Sequence, residues 1–236
     1  MLKRNSNSPI TPILSILTLL VVVVTTRAVL TAKLGKTANQ RTSIEIEQEL
    51  RVNPENTEFL EVQFICQAPL ETAQNWIYHE ESCEEAAVLM TYLYETDSTI
   101  TKEAADEEIL KMIEWQVQNF GEHRDIYADD VKEFITGYLE LEEDQIEIIY
   151  NASMDDIRSQ IDMGHPVIVP ITGEILKNPY YPHPGYHMLV VKGYTATQII
   201  TNDNGTRHGK DFKYDNEIFE AAINDAGGDI LILNLE

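Results

Sequence analysis

The sequence predicts an α+β domain in which an N-terminal helical half is packed on a C-terminal antiparallel sheet. Between positions 82 and 164, apolar residues recur mainly at the three- and four-residue spacing of helices. From position 167 onwards, short apolar runs are instead separated by turn residues, which is typical of strands. Strands that follow one another so closely pair most simply through tight turns, so an antiparallel sheet is favoured over an alternating helix–strand fold.

Each element is predicted from its own pattern and its boundary residues. The segment 60–66 alternates like a short strand and leads into a loop that carries Trp and Tyr. The first helix has Ser82 as its N-cap and Glu85 three residues later, which is the pattern of a capping box. The other helices are expected at 101–120, 128–138, 153–164 and 216–224, and the other strands at 145–150, 167–171, 187–193, 198–202 and 230–233.

The charge of the chain is strongly acidic and unevenly distributed. The 236 residues include 40 Asp and Glu against 17 Lys and Arg, for a net charge of −23 at pH 7. This balance argues against a nucleic-acid partner, which would need a basic surface. Residues 1–44, in contrast, hold six basic residues and no acidic one. Two chain segments in different surroundings are therefore expected.

The basic segment predicts a hydrophobic N-terminal helix at 1–32 that acts as a signal peptide or signal anchor. Its apolar stretch at 10–24 has 15 residues, which suits the core of a secretory signal and is short for a membrane span. Residues 33–57 are expected to form a polar linker, and residues 58–236 the folded domain. This domain would be extracytoplasmic, either secreted or anchored to the membrane through the uncleaved helix.

The two cysteines, Cys66 and Cys83, allow two interpretations. In an exported chain an even number of cysteines suggests a disulfide. Alternatively, Cys83 is a nucleophile, because a residue just after the N-cap lies among the unpaired N–H groups and the positive end of the helix dipole. Such a position favours the thiolate, which is the form that attacks carbonyl groups.

A thiolate nucleophile needs an imidazole that a third group orients. His187 is the candidate because it opens an apolar strand, although such a histidine is also common as a structural residue. If the following hairpin is centred on Thr195, His187 lies directly opposite Asp203, and opposed side chains are close enough to contact. Asn204 would take the place of Asp203 after a one-residue slip. Four other histidines are expected in solvated loops: His79, His123, His165 and His208.

Acyl transfer also needs hydrogen-bond donors for an oxyanion. The backbone N–H of Cys83 and the side-chain amide of Gln67 are the candidates. No set of residues has the spacing of a metal site, and no cofactor is predicted. The sequence does not indicate an oligomeric state.

Several of these residues lie in segments that resemble the bacteriocin-processing, double-glycine-type cysteine peptidases (family 39-like) and their stand-alone relatives, in the papain clan. The first block is Gln67-Ala68-Pro69 followed by 82–90, and the later blocks are 178–181, 185–194 and 200–206. The resemblance covers about residues 63–225. It implies a papain-like fold in which Cys83 is the nucleophile, His187 the general base and acid, Asp203 the orienting residue and Gln67 part of the oxyanion hole.

The chain departs from this family at three points. Ala87 stands where relatives often have Ser, and Asn204 replaces the proline that usually follows the aspartate. Gln67 precedes Cys83 by sixteen residues, farther than in transporter-linked members, so Gln74 is a rival for its role. The resemblance implies hydrolysis of a peptide or amide bond in a peptide or protein substrate through a Cys83 thioester. The alternative is a non-catalytic, surface-anchored binding module that keeps the same fold.

Overall fold

The structure, a computed structural model, describes residues 58–181 and 185–235. All of them belong to the compact unit Pro54–Glu236. The predicted signal or anchor helix at 1–32 and the linker at 33–57 lie outside the described residues. Within the described ranges, no helix is both long and apolar enough to cross a membrane.

Helices dominate the first part of the described chain and strands the second, as the sequence predicts. The helices are α1 (Ala73–Tyr78), α2 (Cys83–Glu95), α3 (Lys102–Phe120), α4 (Ala128–Leu139), α5 (Met154–Met163), α6 (Gly173–Leu176) and α7 (Asn216–Asp225), with a 3₁₀ turn at Glu143–Gln145. The strands are β1 (Glu58–Phe59), β2 (Ile146–Ile149), β3 (Val167–Thr172), β4 (Tyr186–Tyr194), β5 (Gln198–Asn202), β6 (Phe212–Asp215) and β7 (Ile230–Leu233).

The strands that the structure describes form one antiparallel sheet. Its order is β2-β7-β3-β4-β5-β6, and β1 pairs with one end of β4. The central strand β4 is buried from His187 to Gly193, because helices cover both of its faces. A residue on this strand can therefore reach a helix packed on the sheet while it remains shielded from bulk water.

Alternate residues of the central strands supply two hydrophobic cores, one on each face of the sheet. Met188 and Val190 belong to the core that also contains buried side chains of α2, α3 and α4. Leu189 and Val191 belong to the core shared with α5, α6 and α7. This division follows from the two-residue period of a strand. The N-terminal helices are thus packed on the sheet, as predicted, and the later helices cover its opposite face.

The strand predicted at 60–66 is absent. The Leu60 N–H still donates to the Lys192 carbonyl of β4 at 2.7 Å, but beyond it side chains bind the backbone at Val62. The carbonyl of Val62 accepts hydrogen bonds from the Asn202 amide at 3.0 Å and from the Lys192 ammonium at 3.3 Å. Only Glu58–Phe59 pairs with β4 in this part of the chain. The buried side chains of Lys192 and Asn202 therefore hold the segment that leads to Gln67.

The register predicted for the hairpin of β4 and β5 is wrong. Val190 is opposite Asn202, an irregularity follows between Val191 and Gly193, and Tyr194 is opposite Ile199. The tight turn is closed by a hydrogen bond from the Thr195 N–H to the Gln198 carbonyl at 2.8 Å. On its other edge, β4 places His187 opposite Ile171 of β3. Asp203 lies just beyond the end of β5.

The structure also contains short elements that were not predicted from the sequence, and two of them bear on the site. The predicted loop before Cys83 contains the six-residue helix α1, and the edge strand β6 carries Tyr214 into the interior. Both are short, so their periodic patterns are weak. Their places in the fold are set by contacts with the rest of the chain.

We expect the Lys192 region to respond asymmetrically to substitution. Lys192 is 1% exposed, its ammonium lies 3.0 Å from the Asp211 carboxylate, and it also lies over the Phe59 ring. Asp211→Ala should lower the free energy of unfolding by about 1–3 kcal/mol, because it leaves a buried ammonium short of a partner. Lys192→Met keeps the apolar stem of the side chain and should change the free energy of unfolding by less than about 1 kcal/mol. Urea denaturation measures both, and a larger loss in Lys192→Met would contradict this account.

Candidate active site

Cys83 is the first residue of α2, as the sequence predicts, and its side chain is buried. The predicted capping box is absent, since Ser82 makes no side-chain capping bond. Glu85 instead turns inward, where the Gln116 amide donates to it at 2.7 Å and His123 Nε2 lies 3.1 Å away. The helix begins at Cys83 because α2 is buried from Cys83 to Met90, so packing rather than a cap places its first turn.

The disulfide alternative is not realised, because Cys66 and Cys83 are both free thiols. Burial raises the pKa of Cys66 to about 12, and the nearby Glu71 adds to this effect. Cys66 lines a different cavity, together with residues of the α3 start such as Thr101 and Lys102. It is therefore a protonated, structural cysteine at neutral pH.

His187 and Asp203 meet although the predicted register is wrong. His187 Nε2 lies 3.0 Å from Asp203 Oδ1. The ring is held at the start of β4, and the carboxylate reaches it from the turn that follows β5. This contact favours the tautomer with the proton on Nε2, which makes Nδ1 the basic nitrogen of the ring.

Asp203 is fully buried, and both of its carboxylate oxygens accept hydrogen bonds. The Gly205 N–H donates to Oδ1 at 3.2 Å. Oδ2 accepts from the Asn178 amide at 3.0 Å, from the Tyr181 hydroxyl at 2.6 Å and from the Tyr214 hydroxyl. Burial alone would raise the pKa of Asp203, but these hydroxyls and His187 together lower it. Asp203 is therefore an anion at neutral pH.

Cys83 and His187 line the same cavity, which has a volume of about 400 Å³. Apolar and aromatic side chains form part of its wall, and carboxylates form another part. The residues that line it are Gln67, Trp76, Ile77, Glu80, Glu81, Cys83, Asp125, Tyr181, Gly185, Tyr186, His187 and Gly205. Gly205 is required at the rim, because a Cβ atom there would lie 2.9 Å from His187 Cε1. The two candidate reacting groups are thus brought together in one concave site.

The Cys83 sulfur is not a preformed thiolate, contrary to the expectation from its position at the helix start. Burial raises the pKa of Cys83 well above its ordinary value, and negative charge on the neighbouring carboxyl groups of Glu84 and Asp125 would raise it further. A backbone hydrogen bond from Met188, which directly follows His187, acts in the opposite direction. Loss of the thiol proton must therefore be assisted by another group.

Gln67 is buried and its side chain faces the same cavity. Its Nε2 donates to the carbonyls of His79 and Glu80, both at 2.8 Å. Gln74, the rival from the sequence, is exposed on α1. Asn204 does not orient the histidine, because its Nδ2 donates to the Cys83 carbonyl at 2.8 Å. Asn204 instead ties the turn after β5 to the start of α2.

His79 is fully buried, contrary to the prediction of a solvated loop. Its Nε2 lies 2.9 Å from Asp106 Oδ1 on α3, and its Nδ1 lies 3.3 Å from the Ser82 hydroxyl. The Asn75 amide donates to the same Asp106 oxygen at 2.5 Å. These contacts fix the turn that leads into Cys83. His123 and His165 are only half-buried and lie near Glu85 and Glu95, and His208 is exposed as predicted.

Cys83, Glu84 and Asp125 place three groups of metal-ligand type within 4.8 Å of one another. Each of them already has a partner. The thiol of Cys83 donates to Glu84 Oε2 at 3.1 Å, and Asp125 shares a hydrogen bond with Glu81. We therefore assign no metal to this cluster.

Several groups that hold the site were not identified from the sequence. Asn178 and Tyr181 lie in a segment that resembles the peptidases, but no role was predicted for them. No sequence pattern indicates a role for Tyr214, because the strand that carries it is not predicted. No role is predicted for Glu84 from the sequence, whereas it is fully buried beside the sulfur. A buried carboxylate with several hydroxyl donors depends on tertiary packing that no local pattern reveals.

A cysteine at a helix start that shares a cavity with a carboxylate-held histidine is the arrangement of cysteine-peptidase-like domains. The sequence profile of the peptidase C39-like family matches residues 59–229. The chain belongs to this family, which confirms the resemblance of its motifs.

The fold is also that of a solved relative. A crystal structure described as a "putative C39-like peptidase from Bacillus anthracis" superposes with a TM-score of 0.54. It is 16% identical in sequence, and the match covers 77% of this chain and 99% of that chain. At this identity the similarity establishes a C39-like fold and no more. No curated protein sequence matches the chain at a significant level.

The stability of the domain should fall with rising pH because of Asp125. Burial and a hydrogen bond to Glu81 raise the pKa of Asp125 to about 7, above the value of roughly 3.9 expected in the unfolded chain. Its stabilising contribution is complete below the unfolded pKa and is lost as the pH rises through about 7. Asp125→Asn, which keeps a donor for Glu81, should therefore be more stable than the wild type above this pH.

We expect the free energy of unfolding of Asp125→Asn to equal that of the wild type at about pH 4. At about pH 8.5 it should be about 1–2 kcal/mol higher, a modest gain because Asp125 is partly exposed. Urea denaturation at both pH values measures it. The exposed Asp144 is the control, because Asp144→Asn should show no such pH dependence. A difference for Asp125→Asn that is constant with pH would contradict the assignment.

Proposed function

We propose that the protein is a cysteine peptidase that cleaves a peptide or amide bond through a thioester at Cys83. The single observation that carries this proposal is that Cys83 and His187 line one cavity while Asp203 holds the His187 ring at 3.0 Å. Membership in the peptidase C39-like family supports it. The substrate class that this family membership supports is a peptide or protein.

Because the resting sulfur is a thiol, the proton leaves during the attack. His187 Nδ1 takes the thiol proton as the sulfur bonds to the substrate carbonyl carbon. The imidazolium that forms is stabilised by the Asp203 anion and then protonates the leaving amine. His187 next deprotonates a water molecule, whose oxygen attacks the thioester carbonyl carbon to form a second tetrahedral intermediate. The C–S bond then breaks to release the acid product, and the imidazolium of His187 returns its proton to the sulfur.

We assign the oxyanion hole to the backbone N–H of Cys83 and the side-chain amide of Gln67. The helix start leaves the Cys83 N–H without an intrahelical acceptor. One N–H of Gln67 has to leave its carbonyl to reach an oxyanion. The bond to the Glu80 carbonyl is the one we select, because it is less buried than the bond to His79 and Glu80 lines the cavity.

Substitution of either reacting residue should abolish hydrolysis and leave the fold intact. We expect Cys83→Ala and His187→Ala to lower kcat/KM for a cleaved peptide by roughly 10³-fold or more, since nucleophile and base act as a unit. Cys66→Ala is the matched control, because Cys66 is also buried but lines another cavity. Equal turnover in all four proteins would contradict the proposal. No turnover together with a Cys83 that iodoacetamide labels no faster than a surface thiol would favour the binding module.

Gln67→Ala should lower kcat roughly 10²–10³-fold with little change in KM, because an oxyanion donor acts mainly in the transition state. Gln74→Ala is the control, since Gln74 is exposed on α1 and should leave kcat unchanged. Steady-state kinetics on one peptide substrate measure both. A larger loss of kcat in Gln74→Ala than in Gln67→Ala would show that Gln74 is the oxyanion donor instead.

The location of the enzyme is a separate proposal that depends only on residues 1–32. We propose that the acidic domain acts outside the cytoplasm, either secreted or held at the membrane by the hydrophobic segment. N-terminal sequencing of the exported protein distinguishes these two forms.

A further inference from the structure

The carboxyl group of Glu84 lies against the proposed nucleophile and is fully buried. Its Oε2 lies 3.1 Å from the Cys83 sulfur, and its Oε1 accepts a hydrogen bond from the Ile126 N–H at 2.9 Å. Both oxygens are thus held in place, one by the loop before α4 and one by the reacting atom. The mechanism above gives this group no role.

The groups that face Glu84 come from each element packed against it. Cys83 and Glu85 lie on α2, Asp125 comes from the loop before α4, and Tyr186 lies on β4. All four are acids, so an ionised Glu84 would be surrounded by neutral or negative groups. Burial, Glu85 and Asp125 raise the pKa of Glu84 well above its ordinary value, which favours the neutral carboxylic acid.

We propose that Glu84 is a further catalytic residue of this site, which donates a carboxylic O–H hydrogen bond to the Cys83 sulfur whenever that sulfur is negative. The contact that the thiol makes with Oε2 at rest then reverses its direction. The thiol proton goes to His187, and the carboxyl proton remains on Glu84 throughout. This role rests on the proposed function and adds no net proton transfer to it.

The hydrogen bond would act at two steps. During the attack it stabilises the sulfur as its proton moves to His187, and the Met188 backbone assists from another direction. During breakdown of the second tetrahedral intermediate it stabilises the departing thiolate, and a thiol of lower pKa is a better leaving group. A carboxylate in the same place would oppose both steps through repulsion.

Two substitutions separate the neutral acid from a carboxylate. Glu84→Gln keeps a donor for sulfur and an acceptor for the Ile126 N–H, so it imitates the carboxylic acid at every pH. Glu84→Leu fills similar space without a donor. The rate of Cys83 alkylation by iodoacetamide, followed by peptide mass spectrometry from about pH 5 to about pH 10, reports the thiolate directly.

We expect Glu84→Gln to alkylate at close to the wild-type rate near pH 7, and Glu84→Leu to alkylate roughly tenfold to a hundredfold more slowly, as expected for one hydrogen bond to a charged group. Faster alkylation in both variants would overturn the proposal, because it would show that an ionised Glu84 had been repelling the thiolate. A wild-type rate in Glu84→Leu would also overturn it.

A second measurement is independent of how well Glu84→Leu folds. The infrared difference spectrum between the wild type and Glu84→Gln at pH 7 should contain the band of a protonated carboxyl group, and a carboxylate band instead would overturn the proposal. Neither measurement needs a substrate. Absence of peptide cleavage would therefore count against the proposed function, while the alkylation rates and the spectrum would still decide the role of Glu84.

Discussion

The hydrogen bond between His187 and Asp203 is the contact on which the site depends. It joins the start of the central strand β4 to the turn after β5 and fixes which ring nitrogen is basic. Asp203 can occupy a fully buried position because amide, hydroxyl and backbone donors surround both of its oxygens. Without them, an isolated carboxylate in this position would be protonated rather than ionised, and it would no longer stabilise an imidazolium.

Packing determines the other half of the site. Helix α2 is buried along its first nine residues, so the cysteine at its start cannot move without disturbing the core that α2 shares with β4. Asn204 ties the same helix start to the turn after β5, and His79 with Asp106 braces the preceding loop. The cysteine and the histidine therefore belong to one rigid arrangement, which is what acyl transfer between positioned groups requires.

The sequence predicts the long elements and nominates the candidate site residues that the structure brings together around one cavity, because their patterns are local. The helices that contain Cys83 and Phe120 and the strands β3 and β7 show clear apolar periodicity. The predicted hairpin register is wrong because the turn closes between Thr195 and Gln198 rather than around Thr195, and this segment has no Gly, Asn or Pro that would fix its position. The β-bulge near Lys192 shifts the pairing by one residue and also has no local pattern. The strand expected before Gln67 does not form because the side chains of Lys192 and Asn202 bind the carbonyl of Val62. The burial of Glu84 could not be predicted, because acidic residues in a first helical turn are usually solvated.

Asp203 and Glu84 show how one site can hold two carboxyl groups in different protonation states. Both are fully buried, so desolvation raises the pKa of each. Asp203 faces a histidine and two tyrosine hydroxyls, which reverse this effect, whereas Glu84 faces other acids, which increase it. A thiol–imidazole pair can use both forms, since the anion stabilises the imidazolium and a neutral acid can donate to the thiolate. When environments separate the pKa values of two acids in this way, they also separate the roles that the acids can take.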